Sequence, residues 1–274
     1  MGAPISGIDV SKHQGDMDYD GVAREGHRFV ICKATEGQDF VDPKFFENWS
    51  ALVEREDQLY RGAYHFARPD STGGYYDGEA EANDFCDVLE AAGHYLDGAL
   101  PPALDYEVYS GKGTAANLDF IEAFTETVER RLGRGCMIYT CSTVWGYQTG
   151  NSDRWSALPL WLVNYTAAGN DFDGTQDPPN LDKIAWDDWA IWQWSGGGDF
   201  AYGPETTGKT IDLNWFNGTE DDLARMCLIP EDDRDPTPCP PNRDAALRVL
   251  TSVQQDLVSA LSKVEMLRAV LEQS

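Results

Sequence analysis

The sequence predicts an α/β fold: an irregular (β/α) barrel of the TIM type, with five β/α units followed by three strands and a C-terminal helix. Three observations predict it. Short apolar runs alternate with helix-forming stretches from Ile5 to Cys141. After Cys141 the rhythm changes, and three more strand-like runs are joined by loops rich in Gly, Asp and Pro. Several of the runs end in a carboxylate or an aromatic residue, as the strands of a barrel do where they converge on a functional face.

Taken in order, Ile5 to Val10 is a short apolar run containing Asp9, and helical potential follows from Tyr19 to Glu25. Arg28 to Ala34 (RFVICKA) has the continuous apolar character of a buried strand. Asp42-Pro43 is a helix entry signal for an amphipathic helix over 44–57. Tyr60 to Ala67 (YRGAYHFA) is the next strand and Asp77 to Ala92 the next helix. Pro101-Pro102 precedes Ala103-Leu104-Asp105-Tyr106-Glu107, an apolar run ending in two carboxylates one residue apart. Thr114 to Leu132 carries Leu118, Ile121, Phe124, Val128 and Leu132 along one helical stripe. Cys136 to Cys141 is a strand, and Leu158 to Tyr165, Trp189 to Ser195 and Lys209 to Leu213 are the three that follow.

The barrel is expected over residues 1–228, with an acidic, proline-rich linker over 229–242. From Arg243 to Glu272 there is no glycine or proline; Leu250, Leu257, Val264 and Leu271 recur every seventh residue, and Leu247 and Leu261 fill the companion positions of the seam. This heptad pattern over 243–274 points to a coiled-coil element and a homo-oligomer, the alternative being a helix packed back on the barrel.

With 21 Lys+Arg against 47 Asp+Glu, the 274-residue chain carries a formal net charge of -26. Such a field disfavours nucleic acid and anionic membranes as partners. No run reaches the ~18 apolar residues of a membrane span, and no basic and apolar leader stands at the start. The expectation is synthesis in a cytoplasm without a signal peptide. The six cysteines and four histidines show no metal-binding spacing. Cys32 and Cys86 are expected as packed thiols, Cys136 and Cys141 as too far apart to bond, and Cys227 with Cys239 as a possible bridge.

The candidate site follows from strand geometry. In an extended strand Asp105 and Glu107 share a face, with Tyr106 opposite and Cα atoms roughly 6.5 Å apart. Two close carboxylates resist ionising together, so one holds its proton near neutrality. Asp9, Asp105, Glu107 and Asp212 each fall near the end of an expected strand and so converge on one rim. Tyr64, Tyr139, Trp161, Tyr165, Trp192 and Trp194 come from other strand ends or their neighbours. Each aromatic alone fits a core position too, but as a set beside acids they suit a site that stacks sugars and cleaves glycosidic bonds.

Several blocks resemble glycoside hydrolase family 25, the Chalaropsis-type lysozymes. They are Gly7-Ile8-Asp9-Val10-Ser11 with His13-Gln14-Gly15, Phe29 to Gly37, Asp42-Pro43-Lys44-Phe45, Gly62 to Phe66, Ala103 to Glu107, Leu160 to Tyr165, Trp192-Gln193-Trp194 and Ile211 to Asn214. They occur in the family's order over about residues 5–218. The resemblance implies hydrolysis of the β-1,4 bond between N-acetylmuramic acid and N-acetylglucosamine in bacterial peptidoglycan, with no metal or cofactor. It makes Glu107 the general acid and Asp105 its assistant on the substrate's 2-acetamido group or the developing charge, with Asp9 and Asp212 lining the cleft floor. Either the acetamido oxygen or an activated water would attack the anomeric carbon. The chain departs from the family at Cys32 and in a long acidic loop, Asp171 to Trp186.

A chitinase-like barrel would need an aspartate where Ala103 stands. The alternatives from other classes are a glycan-binding module and a structural component such as a phage tail protein. With no leader, a bacteriophage endolysin released by a holin, or a virion-borne lysin, is the expected setting.

Overall fold

In this computed structural model, residues 4–69, 74–93, 95–199 and 210–227 are described, together with 247, 249–251 and 254. The linker 229–242, Cys239 and most of the heptad segment 243–274 lie outside the described residues.

Strand β1 (Ile5–Val10) is followed by α1 (Tyr19–Arg24), whose start is capped by Asp18 accepting from the Gly21 amide at 2.9 Å. Next come β2 (His27–Glu36), the short β3 (Phe40–Val41), α2 (Phe45–Val53), β4 (Tyr60–Phe66) and α3 (Tyr75–Ala92). Then follow β5 (Ala103–Asp105), α4 (Thr114–Leu132), β6 (Met137–Thr140) and α5 (Ser142–Thr149). The chain continues through β7 (Leu160–Val163), β8 (Ile191–Asp199), β9 (Thr210–Phe216) and α6 (Glu220–Met226). The expected five β/α units and three trailing strands are all present. The fifth helix, α5, has an interior glycine and no apolar stripe, and its sequence gave no helical signal.

Strands β1, β2, β4, β5, β6, β7 and β8 pair in parallel, and β9 closes the ring antiparallel to both β8 and β1. The result is a closed eight-stranded barrel, with β3 attached as an antiparallel edge on β2. Its interior is filled by Phe29, Ile31, Ala103, Met137, Tyr139, Trp161 and Ile191, every one buried. A second, larger layer lies between the strands and the outer helices and includes Val30, Cys32, Leu104, Tyr106, Phe120, Phe124 and Ile138. Along β2 the alternation of Phe29 and Ile31 inward with Val30 and Cys32 outward is the period-two signature of a barrel strand.

Helices α3 and α4 approach very closely. A Cβ at Gly78 would lie 2.2 Å from the Phe120 carbonyl oxygen, so only glycine fits there. Buried His65 ties this helix pair to the sheet. Its Nδ1 lies 2.8 Å from Thr35 Oγ1 and its Nε2 2.7 Å from Glu81 Oε2.

Among the described residues no helix covers β7, β8 and β9, and indoles and a long loop cover them instead. Phe172 packs against Trp189, Trp192 and Trp215, with ring centroids 5.4–5.9 Å apart. The Trp186, Trp192 and Trp215 indole N–H groups donate to the carbonyls of Leu158, Asn164 and Gly169. The acidic loop from Asp171 to Trp186 is therefore an outer wall of the barrel at Phe172, Ile184 and Trp186, all buried.

Cys32, Cys86, Cys136 and Cys227 are buried free thiols, and Cys141 is a half-buried one. In the heptad segment, Val249 is buried in the outer layer, while Leu247 and Leu250 are 50% and 51% exposed. Leu247, Val249 and Thr251 line a cavity of about 410 Å³ with Phe40, Val41 and Val88. The segment thus touches the barrel at Val249 and turns two of its heptad leucines outward.

Phe124 is fully buried, between His65 at 5.0 Å, Phe85 at 6.0 Å and Phe120 at 6.5 Å. Truncation in such a layer removes transfer energy and leaves a cavity. Phe124→Ala is expected to lower unfolding free energy by about 3–5 kcal/mol in urea titrations. A loss below about 1 kcal/mol would show that the layer collapses freely around the gap.

Candidate active site

Asp9 is on β1, Asp105 ends β5, Glu107 lies in the loop just beyond, and Asp212 is on β9. Asp212 reaches the rim for a different reason from the one its sequence position suggested. It lies near the start of its strand, and because β9 runs antiparallel its start is at the rim where the parallel strands end. The register then places Asp212 directly opposite Asp9 and Asn214 opposite Gly7. The two carboxylates meet across a strand pair in the barrel mouth.

Asp9 is 5% exposed and carries the most structured environment of the four. Its Oδ2 accepts from Gln193 Nε2 at 2.8 Å and from Asn214 Nδ2 at 2.8 Å. Both amides are themselves oriented. Asn214 Oδ1 accepts from the Trp161 indole at 2.8 Å, and Gln193 Oε1 accepts from the hydroxyls of Tyr139 at 2.8 Å and Tyr165 at 3.0 Å. With each amide oxygen occupied, each amide nitrogen must face Asp9. Burial and then the charge of Asp212 push the Asp9 carboxyl well above its usual range, against the two amides, which lower it. Burial lifts Asp212 to about 6, and its hydrogen bond with Asp9 opposes that rise. The pair therefore favours holding one proton between two acids.

Strand β5 ends at Asp105, and Tyr106 turns outward, fully buried near Phe120 and Trp145. Asp105 is 5% exposed, and its Oδ1 is buried with no hydrogen-bond partner among the described residues. Burial and then the Glu107 charge raise its carboxyl well above the usual range, while Lys33 opposes. Glu107 is half-buried. Burial raises its carboxyl, a hydrogen bond with Tyr139 opposes, and the Asp212 charge raises it again. Its environment favours the protonated acid, and a phenol that also donates to Gln193 has only one proton to offer.

The six expected aromatics divide. Tyr64, half-buried, and Tyr139, 5% exposed, line the acid cluster, and the phenols of both are raised by burial and by Asp9 and Asp105 nearby. Tyr165 is 58% exposed at the rim. Trp161 is inside the barrel but only 1% exposed, so it is a floor under Tyr64 and Tyr139 and offers no face to a sugar. Trp192 and Trp194 do not belong to the cleft. Trp192 is 1% exposed in the outer layer, and Trp194 stacks on Trp215 at 6.3 Å, against that same layer. The reason is the strand period: Gln193 points inward to Asp9, so its two neighbours point outward.

Three site residues escaped the sequence reading. Gln193 and Asn214 orient Asp9, and Lys33 faces Asp105 and Glu107 while pairing with Glu36. Alternation along Trp192-Gln193-Trp194 was the signal that could have exposed Gln193. Gly196 matters as well. A Cβ there would sit 3.0 Å from the Tyr165 ring and 3.1 Å from Asp212 Oδ1, so glycine lets both reach the rim. No group of three His, Cys, Asp or Glu side chains among the described residues is placed to hold a metal ion.

The raised acids couple folding to pH. A carboxyl raised from 3.8 to about 6 binds its proton more tightly when folded. Its stabilising contribution is complete below the unfolded value and is lost as pH rises through about 6. Asp212→Asn is therefore expected to stabilise the chain by about 1–3 kcal/mol at pH ~7.5 and by almost nothing at pH ~4. Denaturant titrations at the two pH values read the difference, and equal effects at both would refute it.

The sequence model of "Glycosyl hydrolases family 25" matches residues 8–201. An N,O-diacetylmuramidase of Chalaropsis sp. is 32% identical over 231 residues, covering 81% of this chain and 98% of that protein. A family GH25 lysozyme structure from Aspergillus fumigatus shares 27% identity at a TM-score of 0.68, covering 82% of this chain and all of the other. A bacterial lysozyme structure from Streptomyces coelicolor is also 27% identical at a TM-score of 0.68, covering 83% and 98%. The family model's match spans β1, β5 and the loop beyond it, with Asp9, Asp105 and Glu107, and the chain belongs to glycosyl hydrolase family 25.

Proposed function

We propose that this glycoside hydrolase acts on bacterial peptidoglycan, cleaving the β-1,4 bond between N-acetylmuramic acid and N-acetylglucosamine with Glu107 as the general acid. The observation that carries the assignment is the pairing of a half-buried Glu107, its carboxyl raised, with a buried Asp105 oxygen that has no partner. Glu107 protonates the glycosidic oxygen as its bond to the anomeric carbon breaks. That carbon is taken either by the 2-acetamido oxygen, which water then displaces, or by water directly; the water supplies the new hydroxyl and its proton restores Glu107. Asp105 accepts from the 2-acetamido N–H through its open oxygen, an acceptor role that a carboxyl raised by burial still fills. Asp9 and Asp212 retain one negative charge between them, and that charge helps keep Glu107 protonated. The muramidase and lysozyme relatives support peptidoglycan as the substrate class. They come from fungi and bacteria, so family membership does not select the bacteriophage setting.

Wild type is expected to release new reducing ends from purified peptidoglycan, and Glu107→Gln to lower that rate by about 10²–10⁴-fold with an unchanged fold. Near-normal activity in Glu107→Gln would move the acid to another residue. Intact glycan after incubation with folded wild type would overturn the substrate.

We also propose that the heptad segment associates with a second copy of the chain. Support comes from Leu247 and Leu250, both half exposed although apolar and on the heptad seam. Removing residues 229–274 is expected to reduce the solution mass from oligomer to monomer by light scattering. An unchanged mass would leave the segment as a helix packed on its own barrel.

A further inference from the structure

With Trp161 and Trp192 withdrawn into the protein and Trp194 packed on Trp215, further aromatic faces open to a glycan must come from elsewhere on the surface. Tyr109 and Tyr147 are 54% and 73% exposed, with ring centroids 5.3 Å apart and planes at 69°. Tyr109 is two residues beyond Glu107, which places its Cα within about 7 Å of the acid's Cα. Tyr147 is on α5, in the neighbouring β/α unit.

The two elements that carry these rings are fastened to each other. Gln148, 1% exposed, donates from Nε2 to the Val108 carbonyl at 2.8 Å. Asn117, also 1% exposed, donates from Nδ2 to the Gln148 carbonyl at 2.9 Å, and Ser110 Oγ donates to Asn117 Oδ1 at 2.7 Å. Buried polar side chains on α4 and α5 thus fix the backbone on either side of the ring pair. Exposed aromatics held on fixed backbone lose little conformational entropy when they bind. They also suit capture through the apolar face of a sugar ring, because a chain of net charge -26 gains nothing from charge steering toward an acidic polymer.

We propose that Tyr109 and Tyr147 form an additional glycan subsite, stacking a sugar of the same strand beyond those that span the scissile bond. This rests on the peptidoglycan reading above. The occupant is one pyranose, its apolar face on the ring pair, and the subsite is continuous with the cleft through the loop that carries Glu107.

The test uses the full chain carrying Glu107→Gln and peptide-free alternating glycan strands, a tetrasaccharide and an octasaccharide, in calorimetric titrations. The octasaccharide is expected to bind about five- to tenfold more tightly than the tetrasaccharide. Adding Tyr109→Ala and Tyr147→Ala should reduce that ratio to below about twofold. Tyr109→Phe with Tyr147→Phe should preserve it, because stacking needs the ring and not the hydroxyl. An unchanged ratio in the alanine variant, or an equal loss in the phenylalanine variant, overturns the subsite while leaving the cleft assignment standing. Binding of neither strand by the parent, with no reducing ends released by wild type, overturns the peptidoglycan reading and the subsite with it. A change in solution mass caused by the alanines without glycan would assign the ring pair to contacts between copies and would also overturn it.

Discussion

The antiparallel insertion of β9 between β8 and β1 is the constraint on which the site depends. It closes the barrel and reverses the direction of the last strand, so the beginning of β9 reaches the rim that the parallel strands reach with their ends. Asp212 is thereby set opposite Asp9, and Asn214 turns its amide to the Asp9 carboxyl. A buried carboxyl with one acidic neighbour would be costly if both ionised. Two amides, their oxygens occupied by Trp161, Tyr139 and Tyr165, stabilise the charge that remains.

The same closure sorts the aromatics. Inside, Tyr139 and Trp161 pack edge to face at 4.7 Å and build the floor on which the acids stand. Outside β7 to β9, the described residues form only loops and short 3₁₀ turns, and the area a helix would cover is filled by Trp189, Trp192, Trp194, Trp215 and Phe172. Tryptophan suits that position because each ring buries a large apolar area while its N–H finds a carbonyl on an irregular loop. An indole-rich segment near acids is thus mainly a replacement for missing helices.

The electrostatics follow from burial more than from total charge. Burial is the largest cause of the upward displacement at Asp9, Asp105, Glu107 and Asp212. Lys33 offsets it at Asp105 and Glu107, and its own partner Glu36 also binds Arg68. The mouth of the barrel thereby favours the protonated carboxyl, the state in which Glu107 can give up a proton.

Much of this architecture was legible in the chain. The stripe from Leu118 to Leu132 set helix α4 at Thr114–Leu132, and the apolar runs set the strands and their order. All four acids were legible too, because strand ends are visible as apolar runs that stop. What the sequence could not supply was strand direction and which face of a strand looks inward. Periodicity shows that Trp192 and Trp194 share a face, but the choice of face is made by the partner that Gln193 finds across the barrel, at Asp9. Asp212 was placed at the correct rim, but the run KTIDL does not record that its strand runs the other way. By itself the sequence determined the elements and the chemistry at their ends. Only the tertiary structure decided which side chains meet, because that depends on closing a ring between residues more than 180 positions apart, as Asp9 and Gln193 are.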